Sequence, residues 1–192
     1  MTESAPDGAP AETDLRHVLR VALLAAPLAL GACNPTFNWR DWPVQGTPLR
    51  ATLPCKPESA TRPVPLAGSP VELHMHSCEA GGLRFALAWA DVGQPAQVPV
   101  ALAAWRAASL QTLRARVASP DDPALEWPVK VAGAPQARGV QADGTDPQGQ
   151  AVRSRAAYFA SGTQVFQAAV YGARLDDAAL DAFFSGLSLP AQ

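Results

Sequence analysis

Apolar and polar residues alternate along much of this chain, and the period of the alternation turns helical twice. LRFALAWAD (83–91) is the clearest case. Leu83, Phe85, Leu87 and Trp89 share one face, and Arg84 with the alanines at 86, 88 and 90 share the other. A period of two marks a strand, and the small second face suits a closely packed layer. LRATLP (49–54) alternates in the same way and is closed by Pro54 and Pro57. TRPVPLA (61–67) and PVELHMH (70–76) flank Gly68-Ser69 as a hairpin, and QAVRSRAAYFA (150–160) and TQVFQAAVYG (163–172) form a second across Ser161-Gly162. EWPVKVA (126–132) and QARGVQA (136–142) are two further candidate strands.

Between these runs the period becomes helical. In VPVALAAWRAASLQTLRARV (98–117), Leu102, Trp105, Leu110, Leu113 and Val117 fall on one side, Pro99 suits the first turn and Pro120 lies just beyond the end. DAALDAFFSGL (177–187) repeats the pattern with Leu180, Phe183, Phe184 and Leu187 inward. Asp176 stands as its N-cap and Gly186 near its stop. The order strands, helix, strands, helix, with hairpin connections, predicts an α+β fold: a mostly antiparallel sheet with a central amphipathic helix and a C-terminal helix packed on it.

The first 32 residues follow a different pattern. Arg16, His17 and Arg20 make a modest basic region, followed by the apolar core VALLAAPLALGA (21–32). That length fits a signal peptide and is too short for a permanent span, which needs roughly 20 apolar residues. The core ends in Leu30-Gly31-Ala32-Cys33, which resembles the lipobox of bacterial lipoproteins. The resemblance implies that 1–32 is a signal peptide and that the Cys33 thiol receives diacylglycerol, with palmitate-type acyl chains anchoring the protein in a membrane. An ordinary leader cut near Ala32 is the alternative. The acidic stretch TESAPDGAPAETD ahead of the basic region departs from the usual leader. Asn34 follows the cysteine. In lipoprotein sorting an aspartate there typically retains the protein at the inner membrane, so the resemblance implies the outer membrane in a host that has one. The domain then lies in the cell envelope, outside the cytoplasm. Residues 33–48 are expected to form a tether that ends by packing Phe37, Trp39 or Trp42 onto a single globular domain at 49–189.

At LPCKP, the hairpin-rich first half, the central helix and the terminal DAFFSGLSL, the chain resembles uncharacterised bacterial envelope proteins with a PsbP-like α/β sandwich. Members of that fold are mostly assembly or accessory proteins without catalytic residues, so the resemblance implies an interaction module.

Composition adds few constraints. The chain is 48% hydrophobic and 17% charged with a net charge of -2, and beyond residue 32 it holds 13 basic and 13 acidic groups. Such balance, without a basic run, gives no reason to expect nucleic acid as a partner. No GxSxG, HExxH or glycine-rich phosphate loop is present. The expectation is therefore a protein that is not an enzyme and carries no cofactor.

Six sets of side chains remain as candidates for chemistry. With Cys33 lipidated, Cys55 and Cys78 are an even pair in an oxidising compartment, read first as a disulfide and otherwise as free or redox-active thiols. His74, His76 and Cys78, with Glu72, line one face of a strand. Imidazole and thiolate suit copper or zinc, so the row is either a metal site or an ordinary solvent-facing pattern, with Met75 on the opposite face. Arg106 sits inside the apolar helical stripe, where it snorkels, pairs with a carboxylate such as Asp91, or lines an anion pocket. Asp121-Asp122 and Asp176-Asp177 read as caps ahead of carboxylate chemistry, and Arg153 with Arg155 as a solvated face ahead of a lipid or partner contact. Ser109 or Ser161 with a histidine would be needed for a serine hydrolase. Three functional classes follow in order: a tethered, non-enzymatic module with an envelope protein partner, a copper- or zinc-binding lipoprotein using His74 and His76, and an enzyme of unrecognised type.

Overall fold

The computed structural model describes residues 35–190, and the segment expected as a signal peptide (1–32) and Cys33 lie outside them. Strands β1 (Arg40–Pro43) and β2 (Arg50–Leu53) form a small antiparallel sheet of their own. Seven more strands follow: β3 (Glu58–Leu66), β4 (Ser69–Ala80), β5 (Leu83–Asp91), β6 (Glu126–Trp127), β7 (Arg138–Thr145), β8 (Ala151–Ser161) and β9 (Gln164–Gly172). They make one antiparallel sheet in the order β3-β4-β5-β9-β8-β7-β6. Helix α1 (Val98–Thr112) follows β5, and α2 (Asp177–Ser185) follows β9. The α+β architecture is the one the periodicity predicts.

The two faces of the sheet build two cores. One joins Leu83, Phe85, Leu87 and Trp89 of β5 to Phe159, Phe166 and the apolar side of α2, with β1 and β2 closing over it. The other puts Ala90, Ala156, Tyr158, Val165 and Ala169 beneath Ala101, Trp105 and Leu110 of α1. The alternation read from 83–91 is this division, because odd positions feed the first core and the alanines give α1 close access to the second. Met75 packs on the α1 side, opposite the histidines.

Several boundaries differ from expectation for physical reasons. Helix α1 stops at Thr112, five residues short of Val117. Arg114 takes φ 51°, its N–H reaches the Gln111 carbonyl, and the Ala115 N–H reaches that of Leu110. This is a Schellman cap without the usual glycine, so the sequence carried no stop signal there. The strand expected over 126–132 ends at Trp127, because Pro128 has no N–H to continue the ladder. The first hairpin turns at Ala67-Gly68, one residue early, with Leu66 opposite Ser69. Ala67 accepts a positive φ of 52° there, as a type I′ turn requires of both central residues. Pro65 and Pro63 alternate with the hydrogen-bonded pairs, so their missing N–H groups face outward on edge strand β3 and block further strand addition.

The compact unit begins at Thr36, inside the segment expected as tether. Phe37, Trp39 and Trp42 all pack against the first core, and Arg40–Pro43 pair with β2 as β1. No helix among the described residues is long and apolar enough to cross a membrane.

Candidate functional site

Cys55 and Cys78 are joined as a disulfide, with Cα atoms 5.9 Å apart. The bond ties the turn after β2 to β4 and removes Cys78 from the set of possible metal ligands. Among the described residues, no group of three or more His, Cys, Asp or Glu side chains is placed to hold a metal ion. The row that remains is Glu72, His74 and His76.

Both histidines are built into the sheet. In the β3–β4 register His74 stands opposite Thr61 and His76 opposite Ser59. Each hydroxyl meets an imidazole Nδ1, at 3.0 Å for Thr61–His74 and 2.8 Å for Ser59–His76. When Nδ1 carries the proton, it donates to the hydroxyl and leaves the Nε2 lone pair outward, the arrangement a metal-binding imidazole needs. His74 also stacks on Trp89, its partner across β5, with centroids 4.1 Å apart and planes 13° from parallel. Trp42 lies 6.4 Å from His76. Burial, and secondarily the charge of His74, push the His76 pKa below the ordinary histidine value. The indole N–H groups of Trp42 and Trp89 are buried without a hydrogen-bond partner. The arrangement offers two oriented imidazoles on an aromatic floor, which amounts to a bidentate site at most.

A second polar cluster lies on the other side of the sheet, beneath α1. Gln167 donates to the Ser109 hydroxyl at 2.9 Å and to the Tyr158 hydroxyl at 2.8 Å, and Ser109 in turn donates to the Trp105 carbonyl. Ser154 and Tyr171 join Ser109 and Tyr158 around a cavity of about 10 Å³, the size of one water. Burial raises the pKa of both tyrosines, so neither is an acid near neutral pH. The sequence reading missed this cluster. Its signal was Gln167 interrupting the apolar run of β9.

Arg106 is only 6% exposed and belongs to this side. Its guanidinium pairs with Asp121, not with the expected Asp91, whose carboxylate instead accepts the Gly93 N–H at 2.8 Å. Asp91 ends β5, whereas Asp121 follows α1 through a loop that folds back along the helix. The Arg106 Nε stays buried and unpartnered. Asp122 accepts the Ala124 N–H at the head of a 3-10 turn, and Asp176 accepts the Ala179 N–H at 2.8 Å to cap α2. Capping thus accounts for Asp122 and Asp176, while Asp121 serves as the arginine's partner.

The remaining candidates fall apart in space. Ser109 belongs to α1, on its sheet-facing side, and the histidines lie on the opposite face of the sheet, so they are not brought together. Ser161 ends β8 opposite Gln164. Arg153 faces Asp143 at 3.9 Å. Arg155 lies with its guanidinium carbon 5.7 Å from the centre of the Trp127 ring, a cation–π contact and not a solvated position. No family model matches this chain, and no curated protein matches it either.

Proposed function

We propose that this chain is an envelope lipoprotein, anchored to a membrane through Cys33, whose globular domain is a non-enzymatic interaction or assembly module. The observation that carries the reading is the disposition of the three cysteines. Cys55 and Cys78 are consumed by a disulfide, a bond that persists outside the reducing cytoplasm. The third cysteine, Cys33, ends an apolar leader in the sequence Leu30-Gly31-Ala32-Cys33. Two acyl chains or more anchor firmly where one would bind marginally. Asn34 in the position after the cysteine supports the outer membrane as the destination. The resemblance to PsbP-like envelope proteins supports a role in assembly.

The interaction role is supported by what the polar side chains do. Arg106, Asp121, Asp122, Asp176, Ser109 and Gln167 each hold the fold together. Photo-crosslinking in intact cells, from probes at exposed positions around both ends of the sheet, is expected to trap the same envelope protein from neighbouring positions. Absence of any reproducible adduct overturns the role.

A second reading has one observation in its favour. The Nδ1 atoms of His74 and His76 are both held by hydroxyls, which presents two Nε2 atoms for copper or zinc. Titration of the domain with either metal tests it. Micromolar binding that is lost in His74→Gln and in His76→Gln supports the reading, and no binding at that level removes it.

A further inference from the structure

We propose that the end of the sheet carrying the β4–β5 turn lies against the membrane and gives the domain a fixed orientation on it, a proposal that rests on the reading of Cys33 as the lipidated residue. The compact unit begins at Thr36, three positions after Cys33. Three residues of fully extended chain reach no further than about 11 Å. An acylated Cys33 therefore confines Thr36 to within about that distance of the lipid headgroups.

The point where the chain joins the unit is itself rigid. Phe37 lies so close over Gly81 that a Cβ on that glycine would stand 2.5 Å from its ring, and the Thr36 methyl would be 3.2 Å away. The Phe37 ring packs on Trp39 with centroids 5.7 Å apart and meets Phe85 edge-on at 6.2 Å. The Asn38 N–H donates to the Pro54 carbonyl at 2.8 Å. A lipid on Cys33 thus holds a packed corner of the domain and not a long swinging arm.

Strand register fixes which residues share that corner's end. Ala80 and Leu83 flank the Gly81-Gly82 turn, Arg84 stands opposite Tyr171, and Gly172 stands opposite Arg153. Arg174 leaves β9 at this end and is exposed, as is Lys56 beside the disulfide. Charge there is mixed, since Arg84 pairs with Glu79 and Arg153 faces Asp143. The orientation therefore comes from tether length rather than attraction to anionic lipid. At the other end lie the Ala67-Gly68 and Gly162-Thr163 turns, about 30 Å away along the nine-residue β5. That distal end, with the first turn of α1, faces the aqueous space from which a protein partner approaches.

The test uses the lipidated protein in phosphatidylcholine vesicles containing a headgroup-nitroxide lipid. With Cys33 acylated and Cys55 bonded to Cys78, one added cysteine is the only free thiol, so Arg174→Cys and Ser69→Cys each carry a single dye. The expected result is quenching several-fold stronger at 174 than at 69. Inserting about 20 Gly/Ser residues between Pro35 and Thr36 lengthens the flexible reach and is expected to erase the difference. Equal quenching at both positions, with the acyl chains on Cys33 verified by mass, overturns the orientation and leaves the lipoprotein reading standing. An unmodified Cys33 in protein from its own host overturns the anchor and this proposal with it.

Discussion

The two faces of the sheet solve the same packing problem with different materials. Beneath α2 and the β1–β2 pair, Phe85, Phe159, Phe166 and Phe183 are fully buried, and their rings meet at centroid distances of 5.2–5.4 Å. Beneath α1 the layer holds no phenylalanine and is rich in alanine (Ala90, Ala142, Ala156 and Ala169), and the buried polar residues Arg106, Ser154 and Gln167 are all on that side. Aromatic interdigitation supplies area, so the first face is held by burial and by the nearby disulfide. Alanine supplies little area but lets the helix backbone come close. Directional bonds from Gln167 to Ser109 and Tyr158 then fix where α1 sits. One face secures stability, and the other secures the register of a helix.

If that contrast is right, truncation on the aromatic side has the largest effect. Phe183→Ala removes a ring that touches Phe85 and Phe184 at 5.4 and 5.0 Å, and is expected to lower unfolding free energy by about 3–5 kcal/mol in urea titration. A loss under about 1 kcal/mol would mean that this core is not well packed. Next comes the disulfide, which closes a loop of 23 residues. Replacing both cysteines by alanine is expected to cost about 3 kcal/mol in the chain-entropy account, read from the same titration.

On the α1 side the sharper comparison is between the two ends of one ion pair. Asp121→Ala leaves the buried Arg106 guanidinium without its partner and is expected to cost about 1–3 kcal/mol. Arg106→Met removes the buried charge along with the need for a partner, and is expected to cost less than Asp121→Ala. The reverse order by thermal denaturation would show that the arginine contributes through packing of its stem.

The smallest effect is a pH dependence. Burial, and secondarily His74, lower the His76 pKa from 6.5. As pH falls through about that value the unfolded chain takes up a proton before the folded one does. Stability therefore declines from pH 6.5 down to the folded pKa of His76 and is flat below it. The groups around the ring are His74 and, further along the same strand row, Glu72, together with uncharged Ser59, Leu87 and Trp42. His76→Gln is expected to flatten that segment of the stability–pH curve, and an unchanged slope would assign it to another group.

Most of the fold was readable because pattern and punctuation agreed. β5 alternates cleanly, Ser161-Gly162 marks the β8–β9 hairpin, Asp176 announces α2, and Pro99 opens α1. Some failures depended on a contact distant in sequence and others on a local conformation that the residue types do not announce. Nothing in the segment RDWP marks β1 until β2 is there to pair with it. Arg114 accepts a positive φ where a glycine would have signalled the helix end. The partner of Arg106 lies 15 residues further on, past the end of its own helix. At the histidine row, the pairing with Thr61 and Ser59 needed a hairpin register that no single strand reveals, and Ser59 lay outside the strand as read. The Cys55–Cys78 bond was legible from parity, the expected oxidising compartment and the place of both cysteines at strand ends.

The most direct test of the central claim is the mass of the N-terminal peptide of the mature protein purified from its own envelope. The account predicts a chain that begins at Cys33 and carries diacylglycerol on the sulfur, with no residue of 1–32 attached. A chain that retains Arg16 to Ala32, or one whose Cys33 is a free thiol, would contradict it.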